Sequence, residues 1–222
     1  MKTKLNKKAV VFDLDGTIID TIKDIAAAVN RAANAFGFPD HSVEEVTSFL
    51  GNGSLMLMRR VTNVFDNDEL CFAVRERFRA EYEAHMFDLT VPYEGIAQLF
   101  SALRERGVKI AVITNKDDHC AVPMIERFFG GLVDVCRGVR ADNDRKPNPD
   151  VTLSVLDSLG VSPDEAIFVG DGMADVNVSK NCDIELIPVG YGYTAPEKLE
   201  QETGIAPAMT VGELAQRLLS RV

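Results

Sequence analysis

Two aspartates separated by one residue, Asp13 and Asp15, are well suited to carry chemistry in this chain. They follow an apolar run at residues 10–12 that is typical of a buried β-strand, and side chains alternate across a strand. We therefore expect both carboxylates on one side and Leu14 on the other. Two carboxylates at a strand end, followed by Gly16, suit Mg²⁺ binding and nucleophilic attack on phosphorus. These residues taken alone also fit a surface turn, since Asp and Gly both favour turns.

Polar residues also follow two later apolar runs, at residues 108–113 and 166–169. Helical patterns separate the runs, and this alternation is typical of a parallel sheet with helices on both faces. In open parallel sheets, ligands bind beyond the carboxyl ends of the strands. We therefore expect four polar residues to converge at one sheet edge: Asp13, Asp15, Thr114 and Asp171.

The segment from residue 20 to residue 91 has a different pattern, with apolar residues at helical spacing and no strand signal. Ser42 and Glu45 resemble a capping box that opens one of its helices. The pattern predicts a helical domain at residues 20–91, inserted into an α/β core formed by residues 1–19 and 92–222.

The composition restricts the classes of partner. The chain has 222 residues, of which 46% are hydrophobic, and a formal net charge of −10, which argues against nucleic acid or an anionic membrane as a partner. No membrane span or signal peptide is visible, so we expect a cytoplasmic protein. The four cysteines are widely spaced, which favours reduced thiols. Whether the chain is a monomer or a homodimer is left open.

Four separated motifs resemble those of the haloacid dehalogenase superfamily of aspartate-nucleophile phosphatases, and the resemblance spans nearly the whole chain. The helical insert is similar to the type-1 cap of that superfamily, and the implied core is its Rossmannoid parallel sheet. The four motifs, in chain order, are Asp13-Leu14-Asp15-Gly16-Thr17, Thr114-Asn115, Lys146-Pro147, and Gly170-Asp171 with Asp175.

The resemblance implies a role for each acidic residue. Asp13 would attack the phosphoryl group and form an aspartyl-phosphate. Asp15 would protonate the leaving alcohol and then take a proton from the attacking water. Mg²⁺ would be held by the Asp13 carboxylate, the Asp15 backbone carbonyl and Asp171, with Asp175 beside the metal.

The resemblance also assigns residues to the phosphoryl group. Lys146 would supply positive charge to the transferring group, while the Thr114 hydroxyl and neighbouring backbone N–H groups, with Asn115, would bind its oxygens. Many relatives have Ser directly after the fourth-motif Asp, whereas this chain has Gly172. The hydroxyl at that position is lost and the metal ligand is kept.

Three segments resemble those of the phosphoglycolate phosphatases within the superfamily: Leu50-Gly51-Asn52-Gly53, Thr114-Asn115-Lys116, and Gly190-Tyr191-Gly192-Tyr193. The first lies in the implied cap, which is expected to close over the site, and there Asn52 and Gly53 are candidate substrate-binding residues. Arg59 or Arg60 could pair with a substrate carboxylate. Taken alone, Gly-Asn-Gly also fits a helix-ending turn.

The predicted function is Mg²⁺-dependent hydrolysis of a small phosphomonoester, with 2-phosphoglycolate as the leading substrate. Asp15 argues against a dehalogenase, because a leaving halide needs no proton. Three alternatives share the scaffold: an inorganic pyrophosphatase, a broad sugar-phosphate phosphatase, and a mutase similar to β-phosphoglucomutase. A fourth alternative is not an enzyme but a signalling or binding module that carries a phospho-aspartate.

Overall fold

The computed structural model describes residues 7–51 and 53–222, apart from the side chain of Asp142. The chain divides into two compact units. One is formed by the chain up to Ile19 together with Pro92–Val222, and the other by Asp20–Val91. We call them the sheet unit and the helical unit.

The sheet unit contains a five-stranded sheet in which every neighbouring pair of strands is parallel, in the order β5-β4-β1-β6-β7. Because β1 is central, its neighbours β4 and β6 end beside it at the same sheet edge. The strands are β1 (Ala9–Phe12), β4 (Lys109–Asp117), β5 (Val135–Val139), β6 (Ala166–Gly170) and β7 (Glu185–Pro188). The short strands β2 (Ile19–Asp20) and β3 (Val91–Pro92) pair separately.

Helices follow most strands of the sheet unit, as expected for an α/β fold. They are α5 (Ile96–Glu105), α6 (Asp118–Phe129), α7 (Asp150–Ser158), α8 (Met173–Asn181), α9 (Pro196–Thr203) and α10 (Val211–Leu219). The alternation of side chains places Val11 and Phe12 in different packing layers. Val11 belongs to a buried cluster with Phe168 and Leu156, whereas the Phe12 ring lies 5.0 Å from that of Phe100.

The helical unit contains α1 (Ile22–Ala35), α2 (Val43–Phe49), α3 (Gly53–Thr62) and α4 (Asp68–His85). The capping box at the start of α2 is present: the Ser42 hydroxyl accepts from the Glu45 N–H at 3.2 Å, and the Glu45 carboxylate accepts from the Ser42 N–H at 2.7 Å. Among the described residues, we find no helix with the length and apolarity that crossing a membrane requires.

The predicted α/β class with a parallel sheet is confirmed, and two boundaries differ in ways that affect the site. Strand β1 ends at Phe12, so Asp13 and Asp15 lie in the loop that follows it. Strand β4 continues through Asp117, four residues beyond the apolar run, so Thr114, Asn115 and Lys116 are part of the strand itself. The pairing of β4 with β5 shifts register between Ile113 and Asp117, so these three residues lie in an irregular part of the strand.

Candidate active site

The polar groups that follow β1 and β6 meet at the carboxyl edge of the sheet. The carboxylates of Asp13, Asp171 and Asp175 offer oxygen atoms that all lie within 4.8 Å of one another. Asp13 follows β1, Asp171 follows β6, and Asp175 lies in the first turn of α8. The structure thus brings three of the four predicted metal-site residues together as one group of carboxylates, the acidic cluster.

Lys146 is inserted into the acidic cluster from the loop before α7. Its ammonium nitrogen lies 2.7 Å from Asp13 Oδ1 and 2.6 Å from Asp175 Oδ1, and only 2% of its side chain is exposed. Asn115 fixes the Lys146 backbone on both sides: its Oδ1 accepts from the Lys146 N–H at 2.7 Å, and its Nδ2 donates to the Lys146 carbonyl at 3.1 Å. Asn115 therefore positions Lys146. This contact gives a structural reason for an amide side chain at the position after Thr114.

The electrostatics of the acidic cluster are unbalanced, because three carboxylates face one ammonium. Burial, and then the charge of Asp175, raise the pKa of Asp13 to about 7. Burial, and then the charges of Asp13 and Asp175, raise the pKa of Asp171 to about 8. Burial alone would lower the pKa of Lys146, but the charges of Asp13 and Asp175 outweigh it and raise that pKa above its ordinary value.

The acidic cluster fits a hard divalent cation. Asp13 Oδ1 is buried, and its contact with the Lys146 ammonium at 2.7 Å is an ion pair. Carboxylate oxygens are the ligands preferred by Mg²⁺, and a cation among them would lower the repulsion that raises the pKa values of Asp13 and Asp171. The residues present therefore match the metal that the sequence implies.

Two hydrogen bonds hold the Asp171 carboxylate in place. The Thr17 hydroxyl donates to Oδ1 at 2.9 Å, and the Tyr193 N–H donates to Oδ2 at 2.7 Å. Gly192 lets the loop approach this closely, because a Cβ at that position would overlap Asp171 and the Gly16 carbonyl. Residues that bond to metal ligands orient them. The Gly-Tyr-Gly-Tyr segment thus positions Asp171, a role that sequence spacing alone does not indicate.

Gly172 takes part in the site through its backbone. Its N–H donates to Asp175 Oδ2 at 2.9 Å, while Asp175 Oδ1 faces Lys146. Asp175 is 1% exposed, so both of its oxygens are buried with partners. Gly in place of Ser at this position does not affect the contact with Asp175, because the donor is the main-chain N–H.

Asp15 is not a member of the acidic cluster and forms an ion pair with a different lysine, Lys116. The Lys116 ammonium donates to Asp15 Oδ1 at 2.8 Å and to Oδ2 at 3.1 Å. The side-chain exposures are 7% for Lys116 and 21% for Asp15. We call these two residues the acid–lysine pair. Thr114 lies beside them and is buried, with its hydroxyl accepting from the Lys116 N–H at 3.2 Å. Lys116 has no catalytic or binding role in the sequence-based prediction, which includes it only in the segment Thr114-Asn115-Lys116, although its place in β4 puts it at the same edge.

Of the four residues named in the helical unit, Arg59 and Arg60 bind other groups of that unit, and Asn52 lies outside the described residues. Asn52 is not among the described residues, and Gly53 begins α3 with a φ of 82°. Arg59 forms an ion pair with Asp68. The Arg60 guanidinium donates to the Phe49 carbonyl at 2.6 Å, so it caps the end of α2.

Comparisons with known proteins identify the relatives of the chain. A family model described as haloacid dehalogenase-like hydrolase matches residues 10–189. A Pseudomonas putida protein named phosphoglycolate phosphatase is 32% identical over 212 residues, covering 93% of this chain and 77% of that protein. One with the same name from Pseudomonas savastanoi is 33% identical over 217 residues, with the same two coverages.

Solved structures show the same fold. The crystal structure of a putative phosphoglycolate phosphatase from Lactobacillus delbrueckii has a TM-score of 0.89 and 28% identity, covering 96% of this chain and 98% of the other. A predicted phosphatase from Clostridium acetobutylicum has a TM-score of 0.86 and 25% identity, covering 96% of this chain and 99% of the other.

Proposed function

The chain belongs to the haloacid dehalogenase-like hydrolases and is a phosphomonoester hydrolase, and we propose that it hydrolyses 2-phosphoglycolate to glycolate and phosphate. The acidic cluster with Lys146 carries the proposal for the mechanism, since it combines a nucleophile, a cation site and a buried ammonium. The names of relatives that align over 93% of the chain support the choice of substrate.

In the first half of the proposed reaction, an Asp13 oxygen attacks phosphorus and the bond from phosphorus to the ester oxygen breaks. Asp15 gives its proton to the departing alkoxide, so glycolate leaves as an alcohol. Lys146 stays beside Asp13 and Asp175, where its charge offsets theirs and holds the nucleophile in position. The Thr114 hydroxyl and backbone N–H groups at the end of β4 bind the phosphoryl oxygens.

In the second half, Asp15 takes a proton from water, and the water oxygen attacks the phosphorus of the aspartyl-phosphate. The bond from phosphorus to the Asp13 oxygen breaks, and phosphate leaves. When Mg²⁺ is bound, held by the Asp13 and Asp171 carboxylates and the Asp15 carbonyl with Asp175 beside it, it supplies the positive charge that two anions need to approach each other. Asp171 is held for this purpose by Thr17 and Tyr193.

The sequence-based predictions of a cytoplasmic location and a small-molecule phosphomonoester as the partner are kept as part of this proposal. Asn52 and Gly53 are kept as proposed substrate-binding residues.

A substrate panel tests the proposal. We expect the purified protein with Mg²⁺ to release phosphate from 2-phosphoglycolate with a kcat/KM at least about tenfold above those for pyrophosphate and hexose phosphates. Chelation of the metal should abolish the activity. A higher kcat/KM for pyrophosphate or a hexose phosphate would show that 2-phosphoglycolate is not the preferred substrate. Isomerisation of a sugar phosphate without phosphate release would indicate a mutase, and stable phosphorylation of Asp13 without turnover would indicate a signalling module.

A further inference from the structure

The acid–lysine pair has a charge arrangement that the proposed mechanism does not explain. The proposed reaction needs a carboxyl group at Asp15, yet the structure places a second, almost buried ammonium against both oxygens of that group. Lys146 already supplies the ammonium on the nucleophile side, 2.7 Å from Asp13 Oδ1. The two lysines therefore serve different sides of the site.

The position of Lys116 relative to the substrate follows from the geometry of phosphoryl transfer. The attacking and leaving oxygens lie roughly in line across phosphorus. Asp13 marks the attacking side, and Asp15 must lie within hydrogen-bond reach of the leaving oxygen. Lys116 Nζ lies 2.8 Å from Asp15 Oδ1. If Asp15 forms a hydrogen bond of about 2.7 Å with the leaving oxygen, the ammonium lies within roughly 6 Å of the leaving oxygen. Lys116 is thus on the leaving-group side.

A cation at that position distinguishes leaving groups by charge. In 2-phosphoglycolate, the carboxylate is attached to the carbon next to the leaving oxygen, so it falls within reach of an ammonium at this distance. A neutral alcohol or sugar offers only hydroxyl groups there, and hydrogen bonds between charged groups are roughly twice as strong as neutral ones. The side chain of Lys116 is 7% exposed, which limits competition from water and salt.

The neighbouring basic residue does not have this placement. Arg145 donates to the Asn115 carbonyl at 3.2 Å and lies 4.0 Å from Asp117. Lys116 is instead held by strand β4 directly after Thr114 and Asn115, in the sheet unit that carries the acidic cluster.

We propose that Lys116 binds the carboxylate of the leaving group and so selects 2-phosphoglycolate over phosphate esters of neutral alcohols. This inference rests on the proposed function, because it takes Asp15 as the group next to the leaving oxygen. It makes Lys116 a specificity-determining residue located in the sheet unit.

The test compares 2-phosphoglycolate with ethyl phosphate, which has a methyl group in place of the carboxylate. In the unchanged enzyme, kcat/KM should favour 2-phosphoglycolate. Lys116→Met, which removes the charge and keeps most of the side-chain length, should lower the ratio of the two kcat/KM values about 10- to 100-fold. Lys116→Arg should retain most of the preference. Lys109→Met is the matched control, since Lys109 is on the same strand, is half exposed and pairs with Asp134; its ratio should be unchanged.

Several outcomes would overturn the inference. If Lys116→Met lowers kcat/KM equally for both substrates, Lys116 acts only by orienting Asp15. If the unchanged enzyme prefers 2-phosphoglycolate and Lys116→Met keeps that preference, the inference fails and the proposed function stands. If the unchanged enzyme prefers pyrophosphate or hexose phosphates, the proposed substrate itself fails. Should Lys116→Met fail to fold, Lys116→Gln, whose amide still donates to Asp15, gives the same comparison of ratios.

Discussion

Two regions of the molecule bury aspartates to a similar degree and use them differently. Asp24, in the first turn of α1 in the helical unit, is 2% exposed, and Asp171 in the sheet unit is 4% exposed. Asp24 accepts the Leu89 N–H with both oxygens at 3.0 Å and the Thr90 N–H at 2.9 Å. Asp171 also accepts two hydrogen bonds, but it faces the carboxylates of Asp13 and Asp175.

The difference shows that burial alone does not mark a functional carboxylate. Backbone N–H groups and the start of a helix balance the charge of Asp24, so its role is to join α1 to the segment that follows α4. In the acidic cluster, the neighbours add negative charge, and burial together with repulsion raises the pKa of Asp171 to about 8. Burying these carboxylates side by side lowers the stability of the folded state unless a cation or a substrate offsets their repulsion.

The largest expected effect separates the two regions by activity. Asp13→Asn removes the proposed nucleophile, so kcat for 2-phosphoglycolate should fall about 10⁴-fold or more. Steady-state phosphate release measures this effect, with circular dichroism to verify that the variant folds. A loss of less than tenfold would mean that Asp13 is not the attacking group.

The second effect is a dependence of stability on pH that the acidic cluster should produce. The pKa values of Asp13 and Asp171 are raised to about 7 and about 8 in the metal-free protein, so the folded state holds protons that the unfolded state has lost. Between about pH 5 and pH 7, the free energy of unfolding should therefore fall as pH rises, by at most about 1.4 kcal/mol per pH unit for each group.

Urea titrations in EDTA and in excess Mg²⁺ measure this dependence. Mg²⁺ favours the ionised carboxylates, so its stabilising effect should grow with pH. Asp171→Asn should reduce the slope in EDTA, because one of the two groups no longer titrates. Equal slopes with and without Mg²⁺ would contradict the assignment of the acidic cluster as the cation site.

A third experiment tests the loop that positions Asp171. In Gly192→Ala, the added Cβ would overlap Asp171 and displace it from the Tyr193 N–H. We expect Mg²⁺ affinity, measured by calorimetry, to fall about 10- to 100-fold. Gly212→Ala is the control, because a Cβ there meets only Thr210 Oγ1, at 3.7 Å. An unchanged Mg²⁺ affinity in Gly192→Ala would show that the loop does not position Asp171.

The smallest effect is expected for the buried aspartate of the helical unit. Asp24→Asn weakens hydrogen bonds to Leu89 and Thr90 and should lower the free energy of unfolding by about 1–3 kcal/mol. Its kcat should match that of the unchanged enzyme, since Asp24 lies outside the acidic cluster. A large drop in kcat at retained stability would show that the distinction between the two regions is wrong.

Much of the site was predictable because it depends on local patterns and on one topological rule. The apolar runs fix the strands, and parallel strands end at one edge, so the convergence of Asp13 and Asp171 follows from the order of elements. The boundaries were less predictable. Asp13 and Asp15 would share one side only if the strand continued through them, whereas β1 ends at Phe12 and the two carboxylates have different partners.

The remaining features depend on contacts between residues far apart in the chain. The hydrogen bond from the Tyr193 N–H to Asp171 depends on the path of the loop after β7. Because the donor is a main-chain group, the residue type at this position does not indicate the contact. The Asn115 side chain is an equally plausible phosphate ligand until the Lys146 backbone is seen beside it. Lys116 looks like an ordinary charge at a strand end, and only the fold brings it to Asp15, 101 positions away.

If Asp13 is the nucleophile of a two-step phosphatase, it must carry the phosphoryl group between the two steps, and this intermediate can be trapped. The enzyme is mixed with 2-phosphoglycolate and Mg²⁺, quenched in acid within milliseconds and digested for peptide mass spectrometry. We expect a phosphoryl group on Asp13, and none in Asp13→Asn under the same conditions. Phosphate release with the phosphoryl group on another residue, or with full activity retained in Asp13→Asn, would contradict it.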